Sequence, residues 1–167
     1  MSMMISVPVR RRRRAGGYAL LEALVAVVVL SIGFIGAARM QTVGIKLNNS
    51  AQSRQKANLL VYQMTDRIRS NLSGFVDGNY NNVAIGSATC LTTGCTPATL
   101  AIADMTEWSA DVAAQLPSGT GVVCVDSTPN DGVAGAPACD GIGFKLAVKV
   151  FWTDSVASSR FVTVLRP

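Results

Sequence analysis

A single carboxylate, Glu22, lies inside a long apolar stretch of this sequence. From Tyr18 to Ala38 there are 21 residues, and Glu22 is the only one with a formal charge. As a helix rising about 1.5 Å per residue, the stretch spans roughly 31 Å, which is enough to cross a bilayer. A charge in hydrocarbon costs at least about 2.5 kcal/mol, so this Glu marks a functional site and requires a cationic partner.

The apolar stretch supplies no such cation, since it contains no Lys, Arg or His. Two partners fit the chemistry: a cationic group of another protein, or the α-amino group that a cut between Gly17 and Tyr18 would create. A plain signal anchor with an incidental Glu is the alternative. The spacing of Gly17, Glu22 and the apolar run favours the processed N-terminus.

The residues before the cut form a short basic leader. Arg10 to Arg14 are five of the 15 basic residues, and all 10 acidic residues follow Gly17, so the chain after Gly17 has 10 basic and 10 acidic residues. The net charge of +5 therefore comes from the leader and does not indicate a nucleic-acid-binding surface. Because basic residues stay in the cytoplasm, we expect the N-terminus there and everything after Arg39 across the membrane.

Two other targeting signals compete with this interpretation. A conventional secretory signal would be cut after Ala38, and a twin-arginine signal would use Arg13-Arg14. The first explains neither Glu22 nor the length of the apolar run, and the second lacks the apolar residues that usually follow its arginines.

The run from Gly17 to Ala26, Gly-Tyr-Ala-Leu-Leu-Glu-Ala-Leu-Val-Ala, resembles the class III signal of type IV prepilins. In that family a peptidase on the cytoplasmic side removes the leader and methylates the new N-terminus. The resemblance implies that residues 1–17 are the leader, that Gly17 and Tyr18 flank the cut, and that Tyr18 is N-methylated. It also implies that Glu22 neutralises the amine of a neighbouring subunit during assembly. Tyr18 departs from the family's usual Phe, which is expected to slow processing without abolishing it.

The helical pattern continues beyond the apolar stretch, because apolar residues recur there at spacings of three and four. This face consists of Ala57, Leu60, Val61, Met64, Ile68 and Leu72. We expect one helix of about 50 residues, transmembrane over 18–38 and amphipathic over 39–73, with an end near Asn71 to Gly74.

Residues 74–167 have the pattern of an extracytoplasmic α+β head. Turn residues dominate Phe75 to Thr96 and predict a loop. Alternating apolar residues later predict three antiparallel strands, at 121–126, 142–153 and 160–166. The expected fold class is α+β, a long N-terminal helix packed on a small antiparallel sheet as in type IV pilins.

A second helix is expected to open at Thr96-Pro97 and to end at Pro117 to Gly119. One face carries apolar residues, namely Ala101, Met105, Trp108, Val112 and Leu116. The acidic residues Asp104, Glu107 and Asp111 fall largely on the other face. With no His nearby, they are interpreted as a solvated face rather than a metal or paired-carboxylate site.

Four cysteines, Cys90, Cys95, Cys124 and Cys139, lie in the extracytoplasmic part, where thiols are oxidised. Three pairings are possible. Cys90 with Cys95 and Cys124 with Cys139 is favoured, because each pair closes a turn-rich segment. A four-cysteine zinc site is the alternative, but paired C-x-x-C knuckles are absent.

No catalytic signature is present in the sequence. It contains no His, which removes Ser-His-Asp and Cys-His arrangements. No P-loop or dinucleotide-binding glycine motif opens a helix after a strand. We therefore expect a protein that is not an enzyme and that uses no metal or cofactor.

Two downstream segments, Ala-Asp-Met-Thr-Glu-Trp at 103–108 and Leu-Pro-Ser-Gly-Thr-Gly at 116–121, narrow the resemblance to minor pilins of the PilV group, the type IV pilus modification proteins. This implies a low-abundance subunit that joins other minor pilins in a complex priming pilus assembly. Its further partners would be the major pilin, the prepilin peptidase and methylase, and a tip adhesin. It would be stored in the inner membrane with a periplasmic head, and would then reach the fibre or its tip.

Other functions share parts of this pattern. A minor pseudopilin of type II secretion has the same N-terminal motif and overall plan, and an adhesive or DNA-uptake pilin is a third candidate. The head after Gly74 offers only Lys145, Lys149, Arg160 and Arg166 against eight acidic residues. Nucleic acid is therefore not an expected partner.

Overall fold

The computed structural model describes residues 18–87, 90, 94–154 and 157–166. The predicted leader, with the cleavage residue Gly17, lies outside the described residues. The chain divides into two compact units, Met1–Ile45 and Lys46–Pro167.

The described part of the first unit is helical and fully exposed. Residues 18–45 open helix α1, Tyr18–Ser70, which is 53 residues long. An 18-residue window of this helix has a mean hydropathy of 2.5, and none of the window is buried. By length and composition the helix can cross a membrane. Its apolar side chains are exposed in the described part of this unit.

The second unit begins with the rest of α1 and continues through two helices and three strands. Their bounds are α2 Leu72–Val76, α3 Pro97–Gln115, β1 Thr120–Val125, β2 Leu146–Thr153 and β3 Ser158–Leu165. The strands form one antiparallel sheet in the order β1-β2-β3. The α+β prediction is confirmed: a long N-terminal helix packs on a small antiparallel sheet.

The core of this unit lies between the helices and one face of the sheet. The α1 face buries Ala57, Leu60, Val61, Met64 and Ile68, as the spacing predicts. They pack in one cluster with Met105, Trp108 and Val112 of α3 and with Leu146, Val148, Val150 and Trp152 of β2. The Trp108 Nε1 donates to the Leu60 carbonyl at 2.8 Å, which fixes α3 on α1.

The capping residues set the bounds of α3 close to the prediction. Thr96 is extended and its side chain accepts from the Thr99 amide at 3.2 Å, with Pro97 in the first turn. Leu116 leaves the helical conformation, and Pro117 follows it.

Two details of the predicted elements are wrong. Leu72 is 63% exposed, because α1 ends at Ser70 and Asn71 caps the new helix α2 through a bond from the Gly74 amide. β2 starts at Leu146 rather than near residue 142, because Gly141 and Gly143 adopt positive φ angles that no strand contains. Phe144, which the predicted strand at 142–153 included, therefore lies outside β2 and is 87% exposed.

Candidate functional site

Glu22 lies one helical turn after Tyr18, at the start of α1. Both side chains are exposed, Tyr18 at 83%. The salt bridges among the described residues all lie in the second unit, and none involves Glu22. Glu22 therefore has no cationic partner among the described residues of its own chain.

The surface of α1 around this position suits contact with other helices. A Cβ placed on Gly33, Gly36 or Gly44 would meet no atom within 4 Å. Small residues on an apolar helix allow another helix to approach its backbone closely. A Glu near the first turn is also favoured by the positive end of the helix dipole. The segment can therefore supply a negative charge within an apolar contact surface.

The predicted solvated acidic face of α3 is wrong for Asp104. This side chain is buried, and the Tyr80 hydroxyl donates to it at 2.5 Å. The Asn71 amide donates to the same Tyr80 oxygen at 3.1 Å. Burial, and then the hydrogen bond to Asp104, raise the pKa of the Tyr80 phenol well above its ordinary value. Asp104 therefore joins α3 to the segment after α1.

Arg67 adds a charge to this network from α1. Its guanidinium donates to Glu107 at 2.5 Å and lies 3.5 Å from the Asp104 carboxylate. Glu107 is exposed, as predicted, and Asp111 is half-buried. The sequence signal that was missed is Tyr80, a large aromatic residue in a segment interpreted only as a loop.

A second buried cluster surrounds Lys149, which has no exposed area. Its ammonium group forms an ion pair with Asp126, also fully buried, and donates to Asp131 at 3.0 Å and to the Pro137 carbonyl at 2.8 Å. The hydrogen bond from Lys149 lowers the pKa of Asp131. The loop between β1 and β2 thus covers the face of the sheet opposite the helices.

The structure pairs Cys90 with Cys95 and Cys124 with Cys139, the pairing favoured from the sequence. The second disulfide joins β1 to the loop that covers Lys149. This disulfide and the contacts of Lys149 hold the same loop, because Asp131 and Pro137 lie between the two cysteines. No cysteine among the described residues is free.

Within the described ranges the head offers little that resembles a metal or nucleic-acid site. No group of three or more His, Cys, Asp or Glu residues could hold a metal ion there. Lys149 is buried, and the Arg160 guanidinium donates to the carbonyls of Asn130 and Gly132. Lys145 also donates to the Ser127 carbonyl, so three of the four head cations are bound to protein groups.

A comparison with protein families matches residues 12–38 to the prokaryotic N-terminal methylation motif. The match includes Gly17, Tyr18 and Glu22 and ends where the predicted membrane span ends. It supports a pilin or pseudopilin that is anchored in a membrane and processed by a prepilin peptidase. It does not extend to the head. No curated protein and no solved structure matches the chain.

Proposed function

We propose that this protein is a minor pilin that joins other minor pilins in a complex priming type IV pilus assembly. One observation carries the proposal: the methylation motif at 12–38 coincides with an exposed apolar helix in which Glu22 is the only formal charge before Arg39. The similarity of residues 103–108 and 116–121 to minor pilins of the PilV group supports the narrower assignment.

The proposed mechanism is physical. After removal of residues 1–17, the segment from Tyr18 to Ala38 holds the subunit in the inner membrane with the head in the periplasm. Extraction becomes feasible when apolar helices of several subunits bury their exposed faces on one another. Glu22 sets the register, because its charge is costly until it meets the N-methylated amine of Tyr18 in a neighbouring subunit.

The two disulfides and the buried ion pairs suit a head exposed to an oxidising compartment and to mechanical load. Cys124–Cys139 and the Lys149 cluster both hold the loop over the outer face of the sheet. A head held in this way can keep its contact surfaces while the subunit moves from membrane to fibre.

The central experiment is substitution of Glu22 in a host strain that lacks its own copy of the gene. Glu22→Ala removes the charge, and Glu22→Asp is the matched control that keeps it. Removing the charge makes membrane insertion easier, so the Ala variant should reach wild-type levels in the membrane fraction. In the fibre, the Ala variant would leave the N-methylated amine of the neighbouring Tyr18 unpaired. Since an unpaired charge costs about 2.5 kcal/mol, the amount of the Ala variant in sheared surface fibres should fall about ten- to a hundredfold.

Immunoblots of the membrane and fibre fractions of one culture measure the amount of the protein in each. The Asp variant should be incorporated more fully than the Ala variant. Incorporation of Glu22→Ala at the wild-type level would contradict the proposed role of Glu22.

A minor pseudopilin of type II secretion is the second candidate, since the N-terminal methylation motif is common to both systems. Deleting the gene distinguishes them. A minor pilin is required for surface fibres, whereas a pseudopilin is required for release of secreted enzymes. Loss of secretion with normal fibres would favour the pseudopilin.

A further inference from the structure

A groove runs beside the first half of β3, between this strand and α1. Its larger part, about 550 Å³, is lined by Arg54, Gln55 and Asn58 of α1 and by Trp152, Ser159, Arg160 and Phe161 of the sheet. A smaller cavity, about 220 Å³, shares Arg54 and Ser159 with it and extends to Lys46 and Asp154. We call these two adjoining cavities the β3 groove.

Two buried polar atoms in the β3 groove have no hydrogen-bond partner among the described residues. Trp152 is 2% exposed, yet its Nε1 donates to nothing, and the Asn58 Oδ1 accepts nothing. Such atoms cost free energy unless a ligand satisfies them. One is a donor and the other an acceptor, which are the complements of the C=O and N–H of a peptide group.

The adjoining strand has a free edge in the described part of the sheet. β3 is the last strand in the order β1-β2-β3 and pairs only with β2 there. In an antiparallel pair, alternate residues of an edge strand direct their N–H and C=O groups away from the partner. An extended chain can add to such an edge, its backbone forming the ladder and its side chains entering neighbouring pockets.

The strand carries little that would block this addition. β3 contains no Pro, and Arg160 is its only charged residue. The Arg160 side chain faces away from Trp152, because it lies opposite Phe151 in the register, and it is bound to Asn130 and Gly132. Its guanidinium therefore does not cover the groove.

The charges along the groove are mainly positive. Lys46, Arg54 and Arg160 line it against one acidic residue, Asp154, which accepts a hydrogen bond from the Ser50 hydroxyl. A ligand with a carboxylate would complement this excess of positive charge.

We propose that the β3 groove binds an extended, carboxylate-bearing peptide segment of a neighbouring subunit. The segment pairs with β3, and one of its peptide groups forms hydrogen bonds with Asn58 and Trp152. The identification of the partner as a subunit rests on the proposed function. The peptide chemistry rests on the groove alone.

The test uses the mature chain, from Tyr18 onward, in lipid nanodiscs and a phage library of random octapeptides. Peptides are selected on the loaded nanodiscs after removal of those that bind empty ones. Enriched peptides should lack Pro at the centre and contain at least one Asp or Glu. Synthetic copies should bind in fluorescence anisotropy, and hydrogen exchange should show protection of amides in β3 and not in β1.

Trp152→Phe is the decisive variant, because it removes the unpartnered indole N–H and keeps a phenyl ring in the core. It should weaken peptide binding at least tenfold while the head still unfolds cooperatively in urea, at a lower midpoint because the smaller ring leaves space in the core. Tyr62→Phe is the matched control, since Tyr62 is exposed on α1 and does not line the groove. It should bind as the wild type does.

The proposal is overturned if no octapeptide is enriched over empty nanodiscs, if enriched peptides bind Trp152→Phe as tightly as wild type, or if they protect a different strand. None of these outcomes affects the proposed function, which the Glu22 variants test independently.

Discussion

Replacing Lys149 by Met should make the head easier to unfold. The methylene chain is kept, but the ammonium group is lost from a site with no exposed area. Asp126 Oδ2 forms an ion pair with the Lys149 ammonium, so the variant leaves a buried carboxylate without its counter-charge. Removing one partner of a buried pair costs about 3–5 kcal/mol.

We therefore expect a loss of about 4 kcal/mol in the free energy of unfolding at pH 7. Asp131 adds little, because its side chain is 43% exposed.

The assay is urea unfolding of the mature chain in detergent, followed by tryptophan fluorescence. Both tryptophans of the chain, Trp108 and Trp152, are buried in the head, so the signal reports the head alone. With a slope of about 2 kcal/mol per molar urea, the midpoint should fall by about 2 M at pH 7.

The matched control combines Lys149→Met with Asp126→Asn, which removes the stranded charge with little change in volume. It should recover most of the loss. The reasoning is refuted if Lys149→Met costs less than about 1 kcal/mol, or if the double variant is no more stable than the single one.

Two further predictions concern packing and titration in the head. In Gly121→Ala the new Cβ would lie 2.5 Å from Trp108 Cζ3, and this ring is held by its bond to Leu60, so we expect a loss of about 1–3 kcal/mol in urea unfolding. Gly135→Ala, with nothing within 4 Å, should be neutral, and equal midpoints for the two variants would contradict the packing argument. Because the pKa of Tyr80 is raised in the fold, its contribution to stability is present below pH of about 10 and is lost as the pH rises further. Tyr80→Phe should therefore lower stability at pH 8 by about 1–3 kcal/mol, because Asp104 and Asn71 each lose their hydrogen bond to the phenol. It should also flatten the loss of stability expected of the wild type above a pH of about 10, and an unchanged alkaline slope would be inconsistent with this.

Periodicity was enough to predict the elements whose burial follows a regular pattern. The α1 face from Ala57 to Ile68 and the Trp108 face of α3 are buried as predicted. The Thr96-Pro97 start of α3 also followed from local chemistry, since a cap depends on only a few neighbouring residues.

The buried polar groups could not be predicted in the same way, because their partners are distant in sequence. Asp104 lies on the predicted polar face of α3, but Tyr80 and Arg67 reach it from other segments. The alternation of residues along β2 places Lys149 on the face of the sheet expected to be exposed, yet the loop that carries Asp131 covers it. A Lys between apolar neighbours in a strand could have been suspected of burial, but its acidic partners could not have been named.

The Glu22 assignment rests on a different kind of signal. The motif of Gly, aromatic residue and Glu before an apolar run is a short local pattern, so it can be recognised in the sequence without knowledge of the fold. The β3 groove, in contrast, required the structure, because Asn58 and Trp152 are far apart in the chain.

The most direct test of the account is the mass of the mature protein, measured intact and by peptide from the membrane fraction of a host with its own prepilin peptidase. We predict a chain that begins at N-methylated Tyr18 and is lighter by four hydrogens, two for each disulfide. Gly17→Val is the control and should retain the leader. A wild-type chain that keeps Met1, or that begins after Ala38, would contradict the prepilin pathway.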